Sequence, residues 1–236
     1  MNTKVVNSYI KNRVWSCLKE WGFSEFTSRL AWNYFDEDFI HVVNFQSFSS
    51  YNADVINCTT FSFVLNLGIF NRTILTDGEI KSKNNVLKPN EYECHFRYRM
   101  TRTIPQDYDE TFKDSKTKYN DIWYIDPKGK ELDRVFDAVL NEIKNVAIPW
   151  FKKYSSHKKM FDIATLKERS GDNTSGYGNP DVESPISMLY SACLAKKIGL
   201  PSVSLNYFKR LLETDCFSGL EKKIKKQIED VNLLSP

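Results

Sequence analysis

Apolar residues recur every fourth position from Val6 through Ile10 and Val14 to Leu18, with Val5, Tyr9 and Trp21 widening the stripe. That spacing predicts an amphipathic helix over residues 3–21, with Gly22 at its C-terminal cap. The period then shortens to two. Residues 29–35 and 39–47, rich in aromatic and β-branched side chains, read as two strands around the Asp36-Glu37-Asp38 turn. A polar loop at residues 49–57 leads to a third strand over 60–70, in which Phe61, Phe63, Leu65, Leu67 and Ile69 alternate onto one side. The fourth strand, 92–100, sets Cys94, Phe96, Tyr98 and Met100 against His95, Arg97 and Arg99. Loops this short between neighbouring strands point to an antiparallel meander.

Residues 103–120 read as a polar loop and 122–125 as a short edge strand. From Leu132 through Val135, Phe136, Val139 and Leu140 to Ile143 the helical period returns, and Pro149 ends that helix or starts the next. The segment 170–180 is the most flexible-looking in the chain. Beyond it the pattern is purely helical. Ser184-Pro185 opens a helix closed by Gly199, Ser202 or Ser204 caps another, and Leu220, Ile224, Ile228 and Val231 mark a last one. The pattern predicts an α+β fold: an antiparallel sheet of four to five strands with helices on one face, over residues 1–155. A helical extension follows over 156–236.

Composition narrows the class. The 236 residues are 41% hydrophobic, 14% aromatic and 27% charged, which suits a packed soluble domain rather than a disordered chain. Lys plus Arg is 33 against 30 Asp plus Glu, a net +3, too balanced to predict nucleic-acid binding by the whole molecule. Five scattered cysteines without a CxxC argue for free thiols in a reducing compartment rather than for disulfides or zinc. With no apolar run long enough for a signal peptide or a membrane span, the expectation is a cytoplasmic protein with no membrane association.

The blocks Trp32-Asn-Tyr34, Val42-Val-Asn-Phe-Gln-Ser47, Phe63-Val-Leu-Asn-Leu-Gly-Ile69 and Cys94-His-Phe-Arg-Tyr-Arg99 occur in that order. Asp121-Ile-Trp123 and Ile148-Pro-Trp-Phe151 follow them. Together they resemble the bacterial family catalogued as domain of unknown function 4304, over roughly residues 5–155. The resemblance implies a fold and a bacterial setting, with the flavour of small accessory proteins of conflict and defence loci, but no reaction.

Candidate chemistry concentrates on one side of the sheet. Asn44 and Gln46 share a face, as do His95, Arg97 and Arg99, and Asn66 interrupts the third strand with a polar group. If these faces coincide, the amides, imidazole and guanidiniums suit an anionic ligand. The polar side of a one-sided antiparallel sheet accounts for the same residues without a ligand. Arg97, central in its strand, is expected to be hydrogen-bonded by Asn44, Gln46 or Asn66. His41 alternates with Phe39, Val43 and Phe45 and reads as a core histidine.

No HExxH, GxSxG or phosphate-loop motif occurs, so no metal, cofactor or catalytic residue is assigned. Lysines crowd residues 144–170 and the last helix, where Lys222, Lys223, Lys225 and Lys226 read as a solvated face. The leading expectation is a non-enzymatic binding or immunity-type module acting on a protein partner. An anionic small ligand comes next, and nucleic acid is the weaker option. The alternative is a hydrolase of a phosphate-bearing substrate such as a nuclease, with His95 as proton carrier and Arg97 and Arg99 as clamps.

Overall fold

The computed structural model describes residues 1–102, 119–165, 184–214 and 216–234. The predicted loop at 103–120 falls largely outside the described residues, and the flexible-looking segment 170–180 wholly so. The N-terminal helix runs as α1 (Thr3–Tyr9) and α2 (Trp15–Glu20), joined by a π-helical turn over Ile10–Val14. Its stripe is as predicted, with Val6, Ile10, Val14 and Leu18 fully buried, but Val5 points to solvent. Gly22 follows at φ +89°, a conformation that favours glycine.

The sheet is antiparallel throughout. Strands β1 (Glu25–Phe26), β2 (Leu30–Tyr34), β3 (Phe39–Ser47), β4 (Phe63–Asn71) and β7 (Phe96–Arg99) lie side by side in that order. β8 (Ile122–Trp123) pairs with the start of β4. A separate ribbon holds β5 (Ser82–Lys83) and β6 (Val86–Leu87). The β2–β3 turn is set by the Asp36 carboxylate, which accepts from the backbone N–H of Asp38 and of Phe39, both at 2.8 Å.

Phe63, Leu65, Leu67 and Ile69 face the main core, as their alternation predicts. They share it with the N-terminal helix, with α4 (Leu132–Glu142) and with α5 (Ile148–Tyr154). The back of the sheet is not the open face of a one-sided sheet: every residue of β4 is buried. At one end Trp32, Ile40, Val42, Phe70 and Cys94 form a second apolar cluster, capped by Ile80 and Leu87. At the other, Val64, Ile122 and Tyr124 pack under Ile56. Ile56 belongs to α3 (Ser50–Ile56), where the sequence reading expected a polar loop. Ser49 caps α3 by accepting from Asn52 N–H, and Asn57 closes it at φ +59°.

Gly68 sits at the centre of this covered face. A Cβ there would stand 2.6 Å from Cys94 Sγ and 2.8 Å from Cys94 Cβ. Gly68→Ala is therefore expected to lower stability by about 1–3 kcal/mol through overpacking, measured by urea denaturation. Wild-type stability in that variant would show that the segment carrying Cys94, just before β7, yields without strain.

After α6 (His157–Thr165), helices α7 (Pro185–Lys197), α8 (Pro201–Glu213) and α9 (Glu221–Leu234) complete the described chain. Ser184 caps α7 by accepting from Ser187 N–H, as predicted. Neither Ser202 nor Ser204 caps α8, which starts at Pro201; Ser204 is buried and donates to the Ala192 carbonyl at 2.8 Å. Leu189, Phe208, Leu211 and Ile224 belong to the same apolar core as the sheet. No described helix is long and apolar enough to cross a membrane.

Candidate functional site

The register of β3, β4 and β7 places Asn44, Asn66 and Arg99 in one cross-strand row on the back of the sheet. Gln46 lies one step along the same face. Asn66, almost fully buried, donates through Nδ2 to Gln46 Oε1 at 2.9 Å and accepts from Arg99 Nε at 3.1 Å. Arg99 Nη1 also lies 3.3 Å from Asp121 Oδ2. The expected convergence of amides and guanidinium is therefore real for Gln46, Asn66 and Arg99. Its polar atoms are turned largely on one another, with Asp121 neutralising the arginine.

Arg97 and His95 stand apart from that network. Arg97 does not pair with the amides, as the sequence reading expected; its Nε donates to Glu91 Oε1 at 2.6 Å. The reason is local. Residues 91–93 fold into a 3-10 turn, not the start of a strand, and this sets Glu91 beside the arginine. The same turn moves Cys94 to the back of the sheet with Trp32 and Phe70, away from Phe96. Burial, with the Glu91 carboxylate adding to it, holds the Cys94 thiol well above its usual range, unsuited to nucleophilic chemistry.

His95 accepts from the Asn71 backbone N–H through Nδ1 at 3.0 Å, and its ring lies against Phe70 and Tyr190. With Nδ1 accepting, the proton of the neutral ring resides on Nε2. Burial pushes the pKa down to about 3. His41 is a core histidine, as predicted. Its ring stacks on Phe35 and Phe151, and Nε2 lies 2.6 Å from Ser155 Oγ. Ser155 donates its own hydrogen to the Phe151 carbonyl, so His41 Nε2–H is the donor there. Burial takes this imidazole to about 3 as well.

Lys197 Nζ and His157 Nε2 lie 2.7 and 3.4 Å from Asp38 Oδ2, tying α7 and α6 to the β2–β3 turn. Among the described residues no three His, Cys, Asp or Glu side chains gather as a metal site. The lysine-rich stretches behave as solvated faces where they are described: Trp150, Phe151 and Tyr154 are in the core, while Lys152, Lys153, Lys222 and Lys226 are exposed.

A feature absent from the sequence reading lies on the other side of the molecule. The polar face of the N-terminal helix and the β1–β2 hairpin enclose an open groove of about 880 Å³. Its walls carry Lys4, Lys11 and Lys19 and no acidic residue. None of the three lysines has a carboxylate partner among the described residues, whereas the neighbouring Glu25 is taken by Lys88 at 2.7 Å. Asn7 Oδ1 is buried in the groove wall without a donor, and both terminal nitrogens of Arg29, next to the groove residue Ser28, are buried without an acceptor. Trp15 forms the floor, with its Nε1–H donated to the Thr27 carbonyl at 2.9 Å and its ring edge-on to Phe45. The signal in the sequence was the spacing of three lysines along the solvent face of one helix. Only the fold shows that a hairpin turns that face into a groove.

Residues 14–153 match the model of the family described as Domain of unknown function (DUF4304). No curated protein and no solved structure matches the chain.

Proposed function

The chain belongs to the family Domain of unknown function (DUF4304), and from that premise we propose that it is a non-enzymatic interaction module. In this reading it takes an acidic segment of a protein partner into the groove beside the N-terminal helix. The observation that carries it is the set of three exposed lysines that have no carboxylate partner among the described residues, in a wall without an acidic side chain. From Lys4 to Lys19 the helix rises about 22 Å, the reach of about seven extended residues. A peptide fits better than a nucleic acid. Trp15 is buried and hydrogen-bonded, so it offers no face on which a base could stack.

The same geometry favours this reading over a hydrolase. Arg97 is bonded to Glu91, Arg99 to Asn66 and Asp121, and His95 faces Tyr190 with too low a basicity for a proton carrier near neutral pH. A bacterial cytoplasm and an accessory or immunity-type role complete the proposal. The five free cysteines suit that reducing compartment.

A fluorescein-labelled peptide of alternating Glu and Ala tests it by anisotropy at low salt. The Lys4→Glu/Lys11→Glu/Lys19→Glu variant should bind at least about tenfold more weakly, since like charges now face each other. Lys222→Glu/Lys226→Glu on α9 should leave binding unchanged. Equal weakening by both variants, or tighter binding of an oligo(dT) strand than of the peptide, would overturn the reading.

A further inference from the structure

The sheet ends at β1. Among the described residues no strand pairs with the far side of β1, so its outer edge is open. That edge borders the lysine groove, whose wall includes Phe26, Thr27 and Ser28. Trp15 holds the hairpin against the N-terminal helix through the Thr27 carbonyl, which sets the edge beside the lysines. The ladder decides which backbone groups point outwards. Thr27 N–H donates to the Leu30 carbonyl at 2.7 Å and so points at β2. Successive residues of a strand point their N–H and C=O in opposite directions. The Phe26 N–H and C=O therefore point away from β2, out of the sheet edge.

The two sides of a strand added here differ in charge. Residues directly opposite each other across a ladder share a face. A residue set opposite Phe26 thus stands on the side where Lys19 Nζ lies 5.7 Å from the centre of the Phe26 ring, and where the helix carries Lys11. Its neighbours in the added strand point to the other side, next to Glu25, whose carboxylate is already held by Lys88. The first side favours carboxylates and the second does not. We infer that the acidic segment is bound as an extended strand, added antiparallel to the open edge of β1. Its acidic residues stand at every second position and turn towards Lys11 and Lys19, with small neutral residues between them. This rests on the groove reading above and adds to it the conformation and the sequence period of the partner. A helical acidic segment would satisfy the lysines but leave the Phe26 backbone groups unused, and that difference is measurable.

The probe is the alternating Glu–Ala peptide, titrated into the full chain beside two backbone-methylated forms. One carries N-methyl groups on its Glu nitrogens and the other on its Ala nitrogens. In antiparallel pairing the residues opposite Phe26 turn their own N–H and C=O towards it, and these are the Glu residues. Methylating the Glu nitrogens should weaken binding about fivefold or more, while methylating the Ala nitrogens, which face away from the sheet, should change it by less than about twofold. Hydrogen exchange at the Phe26 amide should slow at least about fivefold when the unmodified peptide binds. Strand addition is overturned by equal affinity of the Glu-methylated and unmodified peptides, by an equal loss in both methylated forms, or by a Phe26 amide that gains no protection. Any of these leaves the lysine dependence of the unmodified peptide intact. Failure of the groove reading looks different: the Lys4→Glu/Lys11→Glu/Lys19→Glu variant would then bind the unmodified peptide as tightly as wild type.

Discussion

Arg97→Ala is expected to destabilise the protein by about 3–5 kcal/mol, because it strands a buried carboxylate. The Glu91 side chain is only 6% exposed and Arg97 20%, with Nε and Oε1 2.6 Å apart. In that surrounding the attraction of the pair offsets the desolvation of both ions. Removing one leaves the other without compensation. Arg97→Lys keeps the charge but not the planar donors and should recover only part of the loss. The informative variant is Arg97→Met/Glu91→Leu. Replacing both ions by apolar groups of similar size removes the desolvation along with the attraction, so it should return to within about 2 kcal/mol of wild type. Urea midpoints of the four proteins decide the matter. An Arg97→Ala protein as stable as wild type would mean that water reaches Glu91.

The same pair shows where the sequence stops being legible. Strands β2, β3 and β4 and the helices at 3–20 and 132–142 follow from period, because each sends one regular stripe or alternating face into the main core, even where the opposite face is covered as well. The stretch before β7 does not. Read as a continuous strand, residues 92–100 put Cys94 with Phe96 and His95 with the arginines. The 3-10 turn over Glu91–Glu93 breaks the alternation, and its capping box at Asn90 and Glu93 is a signal that hydrophobic period does not weigh. Helix α3 escaped for another reason: only Ala53 in it is buried, while Tyr51 and Val55 face solvent, so it shows no apolar stripe. Without a visible stripe for α3 the back of the sheet reads as open, whereas α3 and the β5–β6 ribbon cover it on either side of the strip of Asn44, Gln46, Asn66 and Arg99.

The candidate site divides along the same line. Cross-strand neighbours such as Asn66 and Arg99 could be grouped from alternation, because register on one sheet is a short-range matter. The groove of Lys4, Lys11 and Lys19 and the contact of His95 with Tyr190 each join elements distant in sequence. In isolation the lysines are an ordinary solvated helix face, and His95 an ordinary strand residue. What gives them a distinct chemistry is the wall opposite: the β1–β2 hairpin for the lysines, α7 for the histidine.

Stability should fall steeply in mild acid, and the cause is two histidines kept from water: His41, which is buried, and His95, which is half-buried with its Nε2 shielded. His41 and His95 have pKa values near about 3 in the folded chain, driven by burial, against the usual value near ~6.5 that applies when unfolded. Above ~6.5 both states hold neutral rings and their contribution to stability is complete. Between ~6.5 and ~3 the unfolded chain takes up a proton at each imidazole while the folded chain does not, so unfolding is favoured as pH falls. The slope is about 1.4 kcal/mol per pH unit for each histidine and about 3 kcal/mol for the two together. Among the described residues neither ring has a charged hydrogen-bonding partner: His41 lies between Phe35 and Phe151, and His95 against Phe70 and Tyr190. His41→Gln should lower stability at every pH through lost ring stacking, yet roughly halve the slope between pH ~6 and ~4. Urea midpoints across that range separate the two effects, since packing moves the level of the curve and titration its gradient. A gradient unchanged in His41→Gln would mean that His41 is protonated in the folded protein, which its hydrogen bond to Ser155 and its aromatic surroundings argue against.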